Sequence, residues 1–358
     1  MGRLLSRMTM IWFRVTRHGE RLNPIELVNA RVIEMNESKH ITSVADAINK
    51  LDSDEFREFR TSEVPDYRIG TEYKYPFGIW FRGLPDAEWT LVPGIFRQSE
   101  HEYIEETSMF HHFQLRVSEQ RHTYQSTFDW LCLMQHYDVP TRLLDWSESV
   151  LIGLFFAVDD SRQRDVDGKL CVLNARRLNK RTTHSSRQHP ANICTPTSFD
   201  SLVRAQLAAS RNVERFQGAL PKLLVASDRN SDDAIVEADK AMGLATQKWL
   251  ASPIAVFPSR LNGRMILQSS MFTIHGGKWH RGLPQSDKEL PRPLSLESID
   301  AELPADERFL QTYVIPGGKC KTKIRDELMT LGIHSGSVFP EIDKQAAYIK
   351  EQWRFSLA

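Results

Sequence analysis

No stretch of this chain approaches the ~18 consecutive apolar residues of a membrane-spanning helix, so no membrane segment is expected. Met1 to Val15 carries Met10-Ile11-Trp12-Phe13 and a few basic residues. It has neither a long apolar core nor a small-residue cleavage site, which argues against a secretory leader. Cysteine is scarce as well. Cys132, Cys171, Cys194 and Cys320 are scattered with no CxxC spacing, which speaks against a zinc knuckle or a disulfide framework and fits a reducing cytoplasm. Charge of one sign is not in excess either. The 46 basic residues balance 46 acidic ones, so an obligate sequence-independent DNA binder is not expected, although a local basic patch is compatible. Phosphate loops are missing: Gly276-Gly277 and Gly317-Gly318 lie outside any GxGxxG or Walker pattern and read as turns and a helix start. There is no HExxH, and His111 and His112, being adjacent, cannot share a helix face, so metal catalysis is not expected.

What remains is a chain of 358 residues, 41% hydrophobic and 26% charged, long enough for one large or two ordinary domains. Residues 1–40 read as an appended arm with a strand around Met10 to Val15, and 41–358 as the main domain, with an insertion around 205–250. Ser43 is placed to cap a helix over Val44 to Leu51, with Ala45 and Ile48 on its apolar side. Phe77 to Arg82 reads as an aromatic-rich strand, His101 to Gln120 as a helix, and Lys169 to Asn174 as a strand. Residues 175–200 read as loop, with helix again from Phe199 to Ala209. Further strands are expected at Ala255 to Phe257, Met271 to His275 and Phe309 to Ile315, with a loop over 276–308. Helices are expected at Thr322 to Leu331, stopped by Gly332, and at Glu341 to Trp353. Strands and helices mix without a βα alternation. The fold class is therefore α+β, a mixed or antiparallel sheet core with flanking helices.

The densest stretch is Trp130 to Ser149. Phe128, Leu131, Cys132, Met134 and Tyr137 recur at helical spacing up to Pro140, which ends the helix. Thr141 to Asp145 then reads as extended, and Ser147 as the cap of an apolar helix that buries Leu151, Leu154, Phe155 and Val158. Between two greasy arms this elbow crowds Thr141, Arg142, Asp145, Ser147 and Glu148. Such charge is tolerated in a core only when paired. The plain structural account is an Arg142–Asp145 ion pair that pins the bend; the functional one is a site. Arg82, at the exit of an aromatic strand, is a guanidinium suited to a two-pronged grip on phosphate. Cys132 and His136 lie four apart on one helix, yet the apolar context suggests an inert thiol.

These residues resemble the signature of the FRG domain family. Phe81-Arg82-Gly83 is followed by Gln135-His136-Tyr137 and by Pro140-Thr141-Arg142-Leu143-Leu144-Asp145-Trp146-Ser147. Trp89-x-Leu91-x-Pro93, Gln268 to His275, Leu331-Gly332-Ile333 and Val338-Phe339-Pro340 extend the likeness from roughly residue 41 onward. In order along the chain, Arg82, the hydroxyl-bearing elbow and Gln268 also resemble the three-motif layout of ADP-ribosyltransferases. That layout takes an Arg or His from a first strand, a Ser/Thr/Tyr element from a strand leading into a helix, and a Glu or Gln from a later strand.

The resemblance implies NAD as substrate, with Arg82, Asp145 and Gln268 as catalytic residues. It further implies an NAD site drawing on Arg82, Tyr137, Thr141, Arg142, Ser147, Ser149 and His275. The implied activity is ADP-ribosyl transfer or NAD hydrolysis by a cytoplasmic effector in conflict between bacteria and their phages. A protein or nucleic-acid target and a neutralising partner protein would accompany it. Gln268 stands where a carboxylate is usual. The alternative is a module that binds a nucleotide, nucleic acid or protein on the same cleft without chemistry.

Overall fold

The computed structural model describes residues 39–60, 78–97, 104, 106–119, 123–124, 126–182, 195–196, 253–275 and 295–354. The chain divides into two units, Met1–His40 and Ile41–Ala358, and everything below concerns the second. The expected strand at Met10 to Val15, the helix at Phe199 to Ala209 and the insertion at 205–250 lie outside the described residues.

Six strands are described: β1 Ile79–Leu84, β2 Leu143–Ser147, β3 Gly168–Asn174, β4 Ile254–Val256, β5 Ser270–Ile274 and β6 Leu310–Ile315. The helices among the described residues are α1 Val44–Leu51, α2 Asp54–Arg60, α3 Glu106–Arg116, α4 Thr127–His136, α5 Val150–Val158 and α6 Ala175–Thr182. They continue with α7 Gly263–Leu267, α8 Leu296–Ala301, α9 Lys319–Thr330, α10 Ser335–Val338 and α11 Ile342–Gln352. The strands form one sheet in the order β4-β5-β2-β1-β3-β6, and all its pairings are antiparallel. The α+β class with an antiparallel core is thus as the sequence suggests.

Most pairs in this sheet run in long register. β1 matches β3 over six positions, from Ile79 opposite Asn174 to Leu84 opposite Lys169, and β2 matches β5 over five. The central pair is the exception: β1 and β2 meet at a single position, Phe81 opposite Ser147. The sheet is therefore two three-stranded halves joined at one point.

Packing follows the same division. On one face a continuous core runs across both halves, from Ala255 and Met271 through Trp146 and Trp80 to Leu173 and Leu310. On the other face the apolar side chains fall into two separate clusters. One sets α3, α4 and α7 against β2, β4 and β5; the other sets α5 and α9 against β1, β3 and β6. Strand side chains alternate between faces, so Asp145 and Ser147 share the divided face with Leu143. Polar residues thus sit where neither cluster reaches.

Gly83 explains why α5 can lie on β1. A Cβ there would come within 1.9 Å of the Gly153 carbonyl oxygen and 2.4 Å of the Ala157 nitrogen, so no larger residue fits beneath the helix.

Local signals account for most elements. Ser43 caps α1 by accepting from the Asp46 N–H at 3.0 Å, and Ser126 and Asp129 form a reciprocal capping box on α4. Four expectations need correction. In α1 the buried residues are Val44 and Ala47, whereas Ala45 and Ile48 face solvent, because the helix turns its Val44 edge toward Ile41 and Phe56. Residues 175–182 are not loop: the Asn174 side chain accepts the Arg177 N–H at 3.0 Å and starts α6, which buries Leu178 under a basic exterior. The 276–308 stretch contains α8, capped by Ser295, and Asn262 caps α7 ahead of Gln268. Finally, Ser147 remains in β2, and the N-cap position of α5 falls to Ser149. No helix among the described residues is long and apolar enough to cross a membrane.

Candidate functional site

Where the β1–β2 ladder stops, antiparallel register would next set Gly83 against Asp145. Instead the Arg82 guanidinium takes the Asp145 carbonyl, Nη1 donating to it at 2.6 Å. The same Nη1 lies 3.7 Å from the Asp145 carboxylate. A side chain thus replaces a rung of the sheet. Arg82 is 15% exposed at its side chain and Asp145 49%, so the guanidinium is held in the split while the carboxylate looks out of it. Arg82 Nε is buried with no hydrogen-bond partner, a donor left over after folding. Burial pulls the Arg82 guanidinium below its usual value, and the Asp145 carboxylate opposes that shift.

The elbow fastens the other side. Gln135 Nε2, in the last turn of α4, donates to Asp145 Oδ2 at 2.8 Å, and the buried Thr141 hydroxyl donates to Gln135 Oε1. Ser147 Oγ donates to the Gln268 carbonyl at 2.7 Å and accepts the Ser149 N–H at 3.0 Å. One hydroxyl therefore ties β2, the start of α5 and the approach to β5 together. The Ser149 hydroxyl makes no capping bond, so the N-terminus of α5 opens beside this knot without a side-chain acceptor of its own. The Gln268 side chain turns toward α10, Nε2 donating to the Val338 carbonyl at 3.3 Å. Tyr137 ends α4, 63% exposed, its ring edge-on to His136 at 4.7 Å.

Arg142 and His275 are placed differently. Arg142 is fully buried, and its partner is Glu106 of α3, not Asp145. Nε reaches the two Glu106 oxygens at 2.8 and 3.1 Å, Nη2 bonds Glu106 as well, Nη1 donates to the His275 carbonyl at 2.8 Å, and the guanidinium lies over the Phe96 ring. The His275 ring meets Thr273 Oγ1 at 2.9 Å, and burial, reinforced by Arg142, pushes its pKa down to about 3. Both residues belong to the core behind β2. Arg82, Asp145, Gln135 and Thr141 form one chain of contacts, and Ser147, the Ser149 N–H and the Gln268 carbonyl form another, the two sharing only strand β2. The Gln268 side chain points to α10, and Arg142 and His275 lie outside both groups.

Two further residues enter the site. Gln135 stands in the signature, but only the fold reveals that its amide positions Asp145. Arg97 follows the short turn Gly94–Phe96, its Nε donating to the Val92 carbonyl at 2.7 Å. Burial and the nearby charge of Arg82 pull the Arg97 guanidinium down, and Asp145 opposes this. Nothing in its sequence context marks Arg97. Cys132 is buried and its thiol is pushed well up by burial, in keeping with an inert residue. Among the described residues no group of three or more His, Cys, Asp or Glu side chains is arranged to hold a metal ion. A broad open hollow along α9, lined by Arg164, Lys319, Lys323 and Asp326, contains none of these signature residues.

Split sheet and polar junction define an α+β protein whose two half-sheets meet at an arginine–aspartate contact. A family model for the FRG domain matches residues 78–166. The matched span holds Arg82, Gln135, Asp145, Ser147 and α5, and it is narrower than the likeness read from the sequence; Gln268 lies outside it. No curated protein and no solved structure matches the chain.

Proposed function

We propose that the junction between β1 and β2 binds NAD and cleaves its nicotinamide glycosidic bond, passing ADP-ribose to a macromolecular acceptor or to water. The observation that carries this reading is the interrupted ladder. An arginine of the first strand fills the gap, with a partly exposed carboxylate beside it and a serine knot leading into a helix. The order of elements agrees with the three-motif layout that the sequence resembles. Arg82 sets one guanidinium beside the Asp145 carboxylate, a cation suited to a phosphate of the diphosphate. Asp145 is placed to offset the positive charge that develops on the ribose as the bond to nicotinamide lengthens. Tyr137 and Ser149 are the candidates for further contacts to NAD, Ser147 fixes the start of α5, and Arg142, Thr141 and His275 act by holding β2 in place. The role of an effector in conflict between bacteria and phages, in the cytoplasm and with a neutralising partner, comes from the family resemblance.

A second reading has its own support. Gln268 is neutral, and its amide is already engaged with the Val338 carbonyl, which fits a module that binds a nucleotide, nucleic acid or protein without turnover. Thermal shift with NAD, run beside a nicotinamide-release assay, separates the two. Binding raises the melting temperature by mass action in both, but only the enzyme releases nicotinamide. Arg82→Ala and Asp145→Ala are each expected to lower release at least about 100-fold with the far-UV spectrum unchanged. Wild-type protein that neither binds nor consumes NAD refutes the proposal.

A further inference from the structure

If the cleft works on NAD, one charge is missing from it. Gln268 can orient a hydroxyl but cannot take its proton, and the nearby acids are occupied. Asp145 is held by Gln135 and Arg82, and Glu148 is bonded to Arg260. Glu341 is different. It precedes α11, and both of its carboxylate oxygens are buried with no hydrogen-bond partner. Among the described residues its ion-pair partner is His136, whose Nε2 lies 3.5 Å from Oε1, close enough for electrostatic attraction but too long for a hydrogen bond. His136 Nδ1 is likewise buried without a partner. Unmet polar groups of this kind are rare in a folded protein, and each calls for a partner such as an ordered water, an ion or a reacting group.

The pair closes a circuit around Gln268. The Gln268 amide donates to the Val338 carbonyl at 3.3 Å, three residues before Glu341. Arg264, one turn ahead of Gln268, lies over the Phe339 ring at 5.0 Å, and its Nη1 reaches the His136 carbonyl at 3.4 Å. Backbone strain gathers at the same spot. The two non-glycine residues with positive φ among those described are Asp138 at 57° and Ser269 at 46°, close behind His136 and Gln268 respectively.

We infer that His136 and Glu341 form the proton-accepting pair on the Gln268 side of the cleft. Glu341 orients the imidazole through Nε2, and Nδ1 is left free to take a proton. The inference rests on the NAD reading above. In the step it serves, the bond between the ribose anomeric carbon and nicotinamide breaks, and its electron pair leaves with nicotinamide. The oxygen of water or of an acceptor hydroxyl bonds to that carbon. The proton of that oxygen passes to His136, where the Glu341 charge steadies the imidazolium before release to solvent. The titratable and charged groups that face His136 are Arg264 on α7, Glu341 ahead of α11, Asp138 just after α4 and Tyr137, whose ring stands edge-on to the imidazole. Burial first, then Arg264, lowers its pKa from the usual 6.5, while Glu341 and Asp138 raise it, so the ring is neutral and able to accept a proton at pH 7.

The test combines a titration with turnover, both on the full chain. His136 is followed by NMR across pH in wild type and Glu341→Gln, its signal assigned with His136→Gln. Removing the Glu341 charge is expected to move the His136 titration to lower pH and to shift the acid limb of nicotinamide release with it. Release should drop on the order of 100-fold in Glu341→Gln and in His136→Gln, with the NAD-induced thermal shift kept and partial rescue by Glu341→Asp. Glu341→Gln that keeps the wild-type rate, acid limb and His136 titration overturns the dyad alone. Wild-type protein that releases no nicotinamide overturns the dyad together with the reading on which it rests.

Discussion

Glu106→Ala tests whether the signature arginine of the elbow is scaffold or site. Arg142 is 0% exposed, and three of its guanidinium contacts go to the Glu106 carboxylate, itself 3% exposed. Removing that acid takes the Glu106 carboxylate from a fully buried guanidinium, while contacts such as those to the His275 carbonyl and the Phe96 face remain. Breaking a buried ion pair from one side typically costs about 3–5 kcal/mol. In a domain of this size roughly 2–4 °C of melting temperature is lost per kcal/mol, so a drop on the order of 10 °C is expected. Arg142→Ala should cost a similar amount. The double replacement Glu106→Leu with Arg142→Met should cost less than the two single losses added together, because no charge is then stranded. Urea unfolding followed by tryptophan fluorescence measures all of these. NAD-induced stabilisation of the folded fraction should persist in every variant. A Glu106→Ala change below about 1 kcal/mol would refute the reasoning, as would Arg142→Ala protein that loses NAD binding at full stability.

Gly83→Ala drives a methyl group into the backbone of α5 and is expected to cost more than about 3 kcal/mol or to prevent folding, read by circular dichroism and urea unfolding. A variant within 1 kcal/mol of wild type, by the same approximate scale, would show that α5 can lift off β1 cheaply. His275 makes stability depend on pH. Its folded pKa is about 3 against 6.5 in the open chain, so below 6.5 the unfolded state binds a proton that the folded state refuses. Its contribution is therefore complete above pH 6.5 and declines by up to about 1.4 kcal/mol per pH unit as pH falls toward 3. Comparing urea unfolding of wild type and His275→Asn at pH 7 and pH 5 isolates that slope; equal slopes in the two proteins would contradict it.

Much of the secondary structure was legible because its causes are local. Ser43 and the Val44 to Leu51 helix, β3, β6 and the final helix follow from caps, strand composition and helical spacing, which involve neighbours a few residues away. The helix α6 was not legible, because a basic exterior hid a single buried face whose partners lie elsewhere in the chain. The same division runs through the site. Arg82, Asp145, Ser147 and Gln268 stand out as polar residues in apolar settings, a contrast visible in sequence. That Arg142 turns to Glu106 and that Gln135 holds Asp145 depend on which distant segments the fold brings near.

By itself the sequence determined most of the strands and several of the helices, the α+β class and the short signature that lies at the β1–β2 junction. The tertiary structure alone decided the break between β1 and β2, the arginine that occupies it, the crowding at Gly83 and the meeting of His136 with Glu341. The reason is physical. Backbone preference and capping are settled within a turn or two of chain, whereas burial, ion pairing and a free carboxylate are properties of whatever the rest of the fold packs alongside.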